Sequence, residues 1–206
     1  MTGDNSKFLY PEQIRVLACL MEKHLATPNN YPLTPNSLTL AVNQKSNRHP
    51  VVAWDEGLVV STARMLKEMG YISIDHSERI DKFSHRAPGV FKISREEQAI
   101  LAMLMLREPL TLNDLKARTE KMIGFDSIEQ VEESVLTLMA LDPPLVMALP
   151  KAVGQREQRY THLLAGEPDL SAIEVKVKET RPAGNTAKKM AELEARIDRL
   201  EKALNL

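Results

Sequence analysis

The sequence predicts a mainly α-helical fold with small β wings: two tandem winged helix-turn-helix domains followed by a C-terminal coiled-coil helix. Three helix-like stretches are followed by two short β-type runs in residues 11–93, and the same order returns in residues 95–163. Three helices and a hairpin in a unit of about 70–80 residues are typical of winged-helix domains. The chain then ends in a heptad repeat.

The composition favours a soluble, helix-rich protein in a reducing compartment. The 206 residues are 27% charged and 4% aromatic, enough for one large or two small domains with their own cores. Cys19 is the single cysteine, which excludes an internal disulfide framework and fits the cytoplasm. No apolar run approaches 18 residues and the N-terminus does not resemble a signal peptide, so we expect neither secretion nor a membrane span.

The distribution of charge argues against strong binding to nucleic acid. The formal net charge is −1. Residues 1–94 hold 11 Lys and Arg against 9 Asp and Glu, residues 95–163 hold 8 against 11, and residues 164–206 hold 8 against 8. No segment carries the basic excess of proteins that bind mainly by neutralising phosphates.

Residues 8–93 are predicted as the first winged-helix domain. Its first helix begins near Pro11, and Thr34 caps a short second helix. Asp55 caps the third helix, which ends at Gly70. The β-type runs are 71–75 and 89–93, with the wing between them. The predicted inward face of the third helix consists of Leu58, Thr62, Met65 and Met69.

Residues 94–164 are predicted as the second domain. Ser94 and Glu97 form a capping box for a helix that is apolar nearly all round, which predicts burial on several sides. Thr111 begins the second helix, and Ser127 with Gln130 forms another capping box for the third. The β-type runs are 145–149 and 158–163, and they predict a smaller wing.

The C-terminal part is predicted as a linker, residues 165–185, and a heptad helix, residues 186–206. The heptad predicts a homodimer, and its charges favour a parallel pair because Lys189 and Arg196 at g face Glu194 and Glu201 at e′. The alternative is that the helix folds back on its own domains. The predicted dimerisation residues are Met190, Leu193, Ile197, Leu200 and Leu204.

One stretch of the chain resembles a known family. LMEKHLATPNNYPLTPNSLTLAVNQKSNRHPVV, followed by a helix that ends in MLKEMGYI, resembles the YceH-like proteins, an uncharacterised bacterial family. The resemblance covers roughly residues 8–165. It implies two winged-helix domains and a bacterial cytoplasmic setting, and it implies no catalytic residue.

The polar loop before the third helix is the main candidate site. Its amides, hydroxyl and cations are groups that bind phosphates and base edges. One alternative is structural, because a long loop without regular pairing needs Asn and Ser side chains to satisfy its own backbone. The other is a contact with a protein or a small molecule. The candidate nucleic-acid-binding residues are Asn43, Gln44, Lys45, Ser46, Asn47 and Arg48 of the loop, with Arg64 of the third helix and Arg79, Lys82 and Arg86 of the wing region.

Acidic residues oppose the nucleic-acid interpretation in both domains. Asp55 and Glu56 lie at the start of the first domain's third helix, where they would repel phosphates. Glu129, Glu132 and Glu133 give the second domain's third helix an acidic face. The leading hypothesis is therefore a non-enzymatic cytoplasmic protein that associates with DNA through its first domain. The alternative is a protein-interaction adaptor that uses the same fold without binding nucleic acid.

Catalysis finds little support in the sequence. The five histidines are scattered, and no zinc-protease, P-loop, dinucleotide-binding or nucleophile-elbow motif occurs. We expect no catalytic residue, no metal site and no cofactor.

Overall fold

The computed structural model describes residues 8–77, 79–107, 109–151 and 155–168. These residues form a mainly helical fold with two small antiparallel strand pairs. The elements are, in chain order, α1 Pro11–Ala26, a 3₁₀ turn Pro28–Asn30, α2 Pro35–Val42, α3 Glu56–Glu68, β1 Ile72–Asp75, β2 Lys82–His85, α4 Ala87–Phe91, α5 Arg95–Leu106, α6 Leu112–Thr119, α7 Ile128–Ala140, β3 Val146–Ala148 and β4 Tyr160–His162.

The two halves of this fold repeat one another closely. Helices α2 and α6 each have 8 residues, and α3 and α7 each have 13. Each half ends in an antiparallel hairpin. In each half, the residue just before the cap of the short helix also bridges to the hairpin's second strand, Leu33 to Phe83 and Leu110 to Tyr160. We call residues 8–93 repeat one and residues 94–164 repeat two.

The predicted helix starts are confirmed by their hydrogen bonds. Asp55 Oδ1 accepts from Leu58 N at 2.8 Å, and Thr34 Oγ1 accepts from Ser37 N. Ser94 and Thr111 both form complete capping boxes. The Ser127 box is only half formed, because Gln130 Oε1 accepts from Asp126 N instead.

A single hydrophobic core runs through both repeats, with α1 and α5 side by side at its centre. Residues 98–106 of α5 are all buried, which confirms the prediction from its continuous apolar sequence. Gln98 Nε2 donates to Met21 O of α1 at 2.9 Å. The two halves are thus joined by apolar packing and by a buried hydrogen bond. The boundary proposed at Ser94 stays a prediction.

Two predictions for repeat one were wrong. The second wing strand is Lys82–His85, whereas residues 87–91 form α4, which has Pro88 in its first turn and Lys92 at φ 55° after its end. On α3 the buried residues are Val59, Thr62, Ala63 and Leu66. Of the predicted inward residues only Thr62 is buried. The predicted stripe, which contains Leu58, Met65 and Met69, and the buried stripe lie next to each other, and both recur at the helical spacing. Packing of α3 against α1 and α2 decides which stripe faces the core.

The predicted linker beyond residue 168 and the heptad helix with its dimerisation residues lie outside the described residues. Within the described ranges, no helix is long and apolar enough to cross a membrane.

Candidate functional site

Arg48 is a structural residue rather than a surface cation. Its side chain is buried in an ion pair with Glu22 of α1, with 2.6 Å between Nη2 and Oε2. Its five N–H groups donate to Glu22, Ala41 O and Asn47 O. Every donor of this guanidinium is engaged within the protein, which disfavours a phosphate contact, and the expectation that Arg48 binds nucleic acid stays a prediction.

The other polar side chains of the loop also bind within the protein. Asn43 donates to Trp54 O and accepts from Trp54 N, at 2.7 and 2.8 Å, and so closes the loop like a backbone pair. Gln44 binds Lys23 Nζ and the oxygen atoms of Ser46. Asn47 adopts φ 55° and accepts from Arg107 Nη1 at 3.4 Å. These contacts favour the structural alternative for the loop.

The remaining predicted cations are distributed over several elements. Lys45, Arg64, Arg79 and Arg86 are exposed on the loop, on α3, on the wing and before α4. Lys82 lies at the start of β2. The structure brings only Gln44 and Lys82 of the predicted set into one cleft, together with Lys23.

The outer side of α3 carries exposed apolar side chains. Leu58, Met65 and Met69 are 40%, 56% and 44% exposed, and they follow one another at i, i+7 and i+11 along one edge of the helix. We call these three residues the methionine strip. The charged residues of the same helix and its cap comprise two cations and three carboxylates, namely Arg64, Lys67, Asp55, Glu56 and Glu68.

The equivalent helix of repeat two has a different outer face. Glu129, Glu132, Glu133 and Leu136 surround a shallow depression on α7, with Leu136 more than half exposed. A dense group of carboxylates repels phosphates, and the expectation that this helix does not bind a duplex stays a prediction.

A half-buried ring cluster, which the sequence did not predict, lies where α1, β2 and α5 meet. The ring centroids of His24, Tyr31 and His85 lie 4.8 to 5.9 Å apart. Tyr31 Oη accepts from His85 N at 2.6 Å, and Gln98 Nε2 faces both imidazoles. Burial, with His24 nearby, lowers the pKa of His85 to about 4. His85 lies 54 residues after Tyr31 in the sequence, so no local pattern predicts that it joins His24 and Tyr31.

Cys19 is the single cysteine of the chain, and its thiol is buried in α1. Burial raises the pKa of the Cys19 thiol to about 11, so it stays protonated at neutral pH. In the part of the chain that the structure describes, no group of three or more His, Cys, Asp and Glu side chains is placed to hold a metal ion.

Fold and surface together define a mainly helical protein with a repeated helix-and-hairpin architecture. A family model described as a protein of unknown function, DUF480, matches residues 9–155. A UPF0502 protein of Geobacter sulfurreducens is 47% identical over 191 residues, which cover 92% of this chain and 85% of that protein. A second, from Cellvibrio japonicus, is 39% identical over 196 residues, 95% of this chain and 89% of that protein. The chain belongs to the family that the DUF480 model and the UPF0502 relatives define. The resemblance to an uncharacterised bacterial family is thus confirmed.

Proposed function

We propose that the protein is a non-enzymatic tandem winged-helix adaptor of the bacterial cytoplasm that binds a partner protein through the methionine strip of α3. The winged-helix assignment is supported by the element order of each repeat and by the single bridge from Leu33 or Leu110 to the hairpin. The cytoplasmic setting is supported by a single, buried, free cysteine.

The observation that carries the adaptor proposal is the composition of the α3 outer side. A helix that reads a major groove presents polar and cationic side chains, whereas this one exposes Leu58, Met65 and Met69. Methionine side chains are flexible and polarisable, so a strip of them adapts to the apolar face of a partner helix. The partner that fits is therefore an amphipathic helix whose apolar residues span about three turns.

A second observation supports the adaptor over the DNA-associated alternative. A continuous positive surface along the first repeat would need Arg48 to join Lys45 to Arg64, and Arg48 is buried against Glu22. The carboxylates of Asp55 and Glu56 lie at the start of α3, next to the loop. The remaining cations are thus separated by neutral and acidic groups.

The test combines site-specific crosslinking with a nucleic-acid titration. A photo-crosslinking amino acid placed at position 65 in living cells is expected to capture one protein. The control at position 80 replaces Ile80, which is equally exposed but lies on the wing. Leu58→Glu should abolish capture from position 65 while leaving the protein folded by circular dichroism.

If the protein instead associates with nucleic acid, the crosslinking experiment and the titration should give the opposite results. Because Lys45, Arg64, Arg79 and Arg86 stay exposed, DNA association would appear as salt-dependent binding to any duplex. Arg64→Ala would then reduce the slope of log K against log salt by about 1. Such binding, with no capture at position 65, would replace the adaptor proposal.

We also propose that the protein is a homodimer through residues 186–206. Deleting these residues should halve the mass measured by light scattering, because the heptad supplies the a/d seam. A matched control replaces Glu192 and Asp198, which lie outside the seam and the e and g positions, and should leave the mass unchanged. An unchanged mass after the deletion would show that the heptad does not join the subunits.

A further inference from the structure

The methionines of the described chain differ in their exposure. Met21, Met103 and Met105 are buried in α1 and α5, where they fill the core. Met65 and Met69 are exposed on α3, and the other methionines that the structure describes are buried or half-buried. The two exposed thioethers therefore lie on the methionine strip, four residues apart, a spacing that makes helical side chains neighbours.

An exposed thioether is open to two-electron oxidants such as hydrogen peroxide. The sulfur donates a lone pair to one peroxide oxygen, so that an S–O bond forms and the O–O bond breaks. The leaving hydroxide takes the proton from the transferred oxygen and departs as water. The thioether is thus oxidised to a sulfoxide while the peroxide is reduced to water. Methionine sulfoxide reductases reverse the change.

The two sulfur atoms of the strip have different surroundings. Gln13 Oε1 accepts from Tyr10 N at 2.9 Å in the capping box of α1, which fixes the orientation of the amide and turns Nε2 towards the end of α3. Gln13 Nε2 donates to Met69 Sδ at 3.6 Å. This hydrogen bond withdraws electron density from the Met69 sulfur and covers one side of it. Met65, which is also the more exposed of the two, is therefore the more reactive site.

We propose that Met65 is the preferred oxidation site of the described chain and that its sulfoxide releases the partner from the methionine strip. The partner comes from the proposed function, so this inference rests on it. Oxidation converts an apolar side chain into a polar one, and the sulfoxide oxygen has no donor on the apolar face of a partner helix. Burying an unpaired polar group opposes binding, so peroxide lowers the affinity of the adaptor and a reductase restores it.

The first part of the test measures the site without any partner. Full-length protein is treated with hydrogen peroxide, and the oxidation of each methionine is followed by mass spectrometry after digestion. Trypsin cuts after Arg64 and Lys67, so Met65 and Met69 fall in different peptides. Met65 should be oxidised roughly twofold or more faster than Met69 and roughly tenfold or more faster than buried Met103. Equal rates for Met65 and Met103 in the folded protein would overturn the proposal.

A variant tests the protection of Met69. Gln13→Glu keeps an acceptor for Tyr10 N, and Glu is a usual residue at this position of a capping box, but the variant has no N–H group for the sulfur. The oxidation rate of Met69 should rise towards that of Met65, and the rate of Met65 should stay unchanged. An unchanged rate for Met69 would overturn the protective role of Gln13.

The second part measures release in living cells. A photo-crosslinking amino acid replaces Ser61, which is exposed beside the strip, and the cells receive a short pulse of hydrogen peroxide before illumination. Capture should fall by roughly tenfold or more. The matched control carries Met65→Leu and Met69→Leu, which keep the strip apolar at similar volume and cannot form a sulfoxide. Capture by this control should survive the pulse.

The outcomes separate the release from the adaptor function. An equal loss of capture from both proteins would overturn the release, because the damage would then lie elsewhere, for example on the partner. Full capture by the unsubstituted strip with Met65 oxidised would overturn it as well. If positions 61 and 65 capture nothing in untreated cells, the adaptor proposal fails and the release fails with it. The oxidation rates of the purified protein then still decide whether Met65 is the preferred site.

Discussion

The hairpins of the two repeats place the same kinds of residue at the same positions. Phe83, Ser84 and His85 of β2 correspond to Tyr160, Thr161 and His162 of β4. The aromatic residue bridges to the start of the short helix in both repeats, and the histidine pairs with the first residue of the partner strand. The shared pattern marks the positions that the helix-and-hairpin scaffold itself requires.

The repeats differ in how they bury polar groups. Repeat one buries the charged side chains of Arg15, Glu22 and Arg48. Among the described residues of repeat two, the buried polar side chains are neutral, namely Gln98, Thr111, Thr119 and Ser134. The loop before α3 spans residues 43–55, whereas the loop before α7 spans 120–127. A longer irregular loop needs more internal partners, and the Glu22–Arg48 pair supplies them.

The same scaffold also carries two different outer faces. The α3 face is apolar with mixed charge, and the α7 face is acidic. The repeated fold therefore determines where the outer face of the third helix lies, whereas the side chains at its exposed positions determine whether that face is apolar or acidic.

The largest effect is expected from breaking the buried ion pair of repeat one. Arg48→Ala removes the 2.6 Å partner of buried Glu22, leaves only the longer 3.7 Å contact with Lys23 Nζ, and should cost about 3–5 kcal/mol of unfolding free energy. Thr119→Val in repeat two removes one neutral buried hydroxyl and should cost only about 1 kcal/mol. Urea unfolding measures both, with the exposed Lys45→Ala as control. Similar losses for Arg48→Ala and Thr119→Val would remove the contrast between the repeats.

The equivalent aromatic residues give the next comparison. Phe83 is fully buried, and Phe83→Ala should destabilise the protein by about 3–5 kcal/mol. Tyr160 keeps 7% of its surface exposed, so Tyr160→Ala should cost less. The melting temperatures of the two variants, measured by calorimetry, show which substitution destabilises the protein more. A larger loss for Tyr160→Ala would show that the repeat-two hairpin contributes more to the common core.

The two equivalent histidines predict a loss of stability in mild acid. Burial lowers the pKa of His85, with help from nearby His24, and that of His162, each to about 4. Above pH 6.5 both states of the protein are neutral at these sites. As the pH falls from about 6.5 to about 4, only the unfolded chain gains protons, so each histidine should cost on the order of 2–3 kcal/mol.

The histidine variants test this assignment directly. His85→Gln and His162→Gln should each flatten the curve of stability against pH between 6.5 and 4. Exposed Val51→Gln, which removes no titratable group, is the control and should leave the slope unchanged. If His162→Gln flattens the curve and His85→Gln does not, the ring cluster accommodates a charged imidazole and the two positions are not equivalent.

The smallest effect concerns the caps of the two short helices. Thr34→Ala and Thr111→Ala should each cost about 1 kcal/mol. The loss at Thr111 should be larger by a few tenths, because Thr111 Oγ1 also donates to the carboxylate of Asp114, whereas Thr34 Oγ1 donates to the neutral hydroxyl of Ser37. Urea midpoints measured side by side detect this difference, and equal midpoints would show that the second bond adds nothing.

The sequence predicted the parts of the fold that local chemistry controls. Helix starts at Pro11, Thr34, Asp55 and Ser94 follow from hydrogen bonds within one turn, and they agree with the structure. The repeat was also visible, because its spacing of helices and β-type runs is a local pattern. The predicted second wing strand, residues 89–93, lies C-terminal to the observed strand at 82–85. The prediction followed the longer apolar run at 89–93 rather than the shorter alternation of apolar and polar residues at 82–85.

The candidate site could be predicted only in part. The residue types of the loop were consistent with both phosphate binding and internal hydrogen bonds, since Asn, Ser and Arg serve either purpose. The choice depended on Glu22, which is 26 residues away from Arg48 in sequence and in hydrogen-bond contact in the structure. The cleft that contains Gln44 likewise joins Lys23 to Lys82, which no local pattern relates.

The sequence by itself determined the order of elements, their caps and the family to which the chain belongs, because these depend on neighbouring residues and on similarity along the chain. The tertiary structure decided which stripe of α3 faces the core, which cation is buried and which side chains share a cleft. These outcomes depend on packing between α1, α2, α3 and β2, where a rotation of one helix by a single residue exchanges buried and exposed side chains.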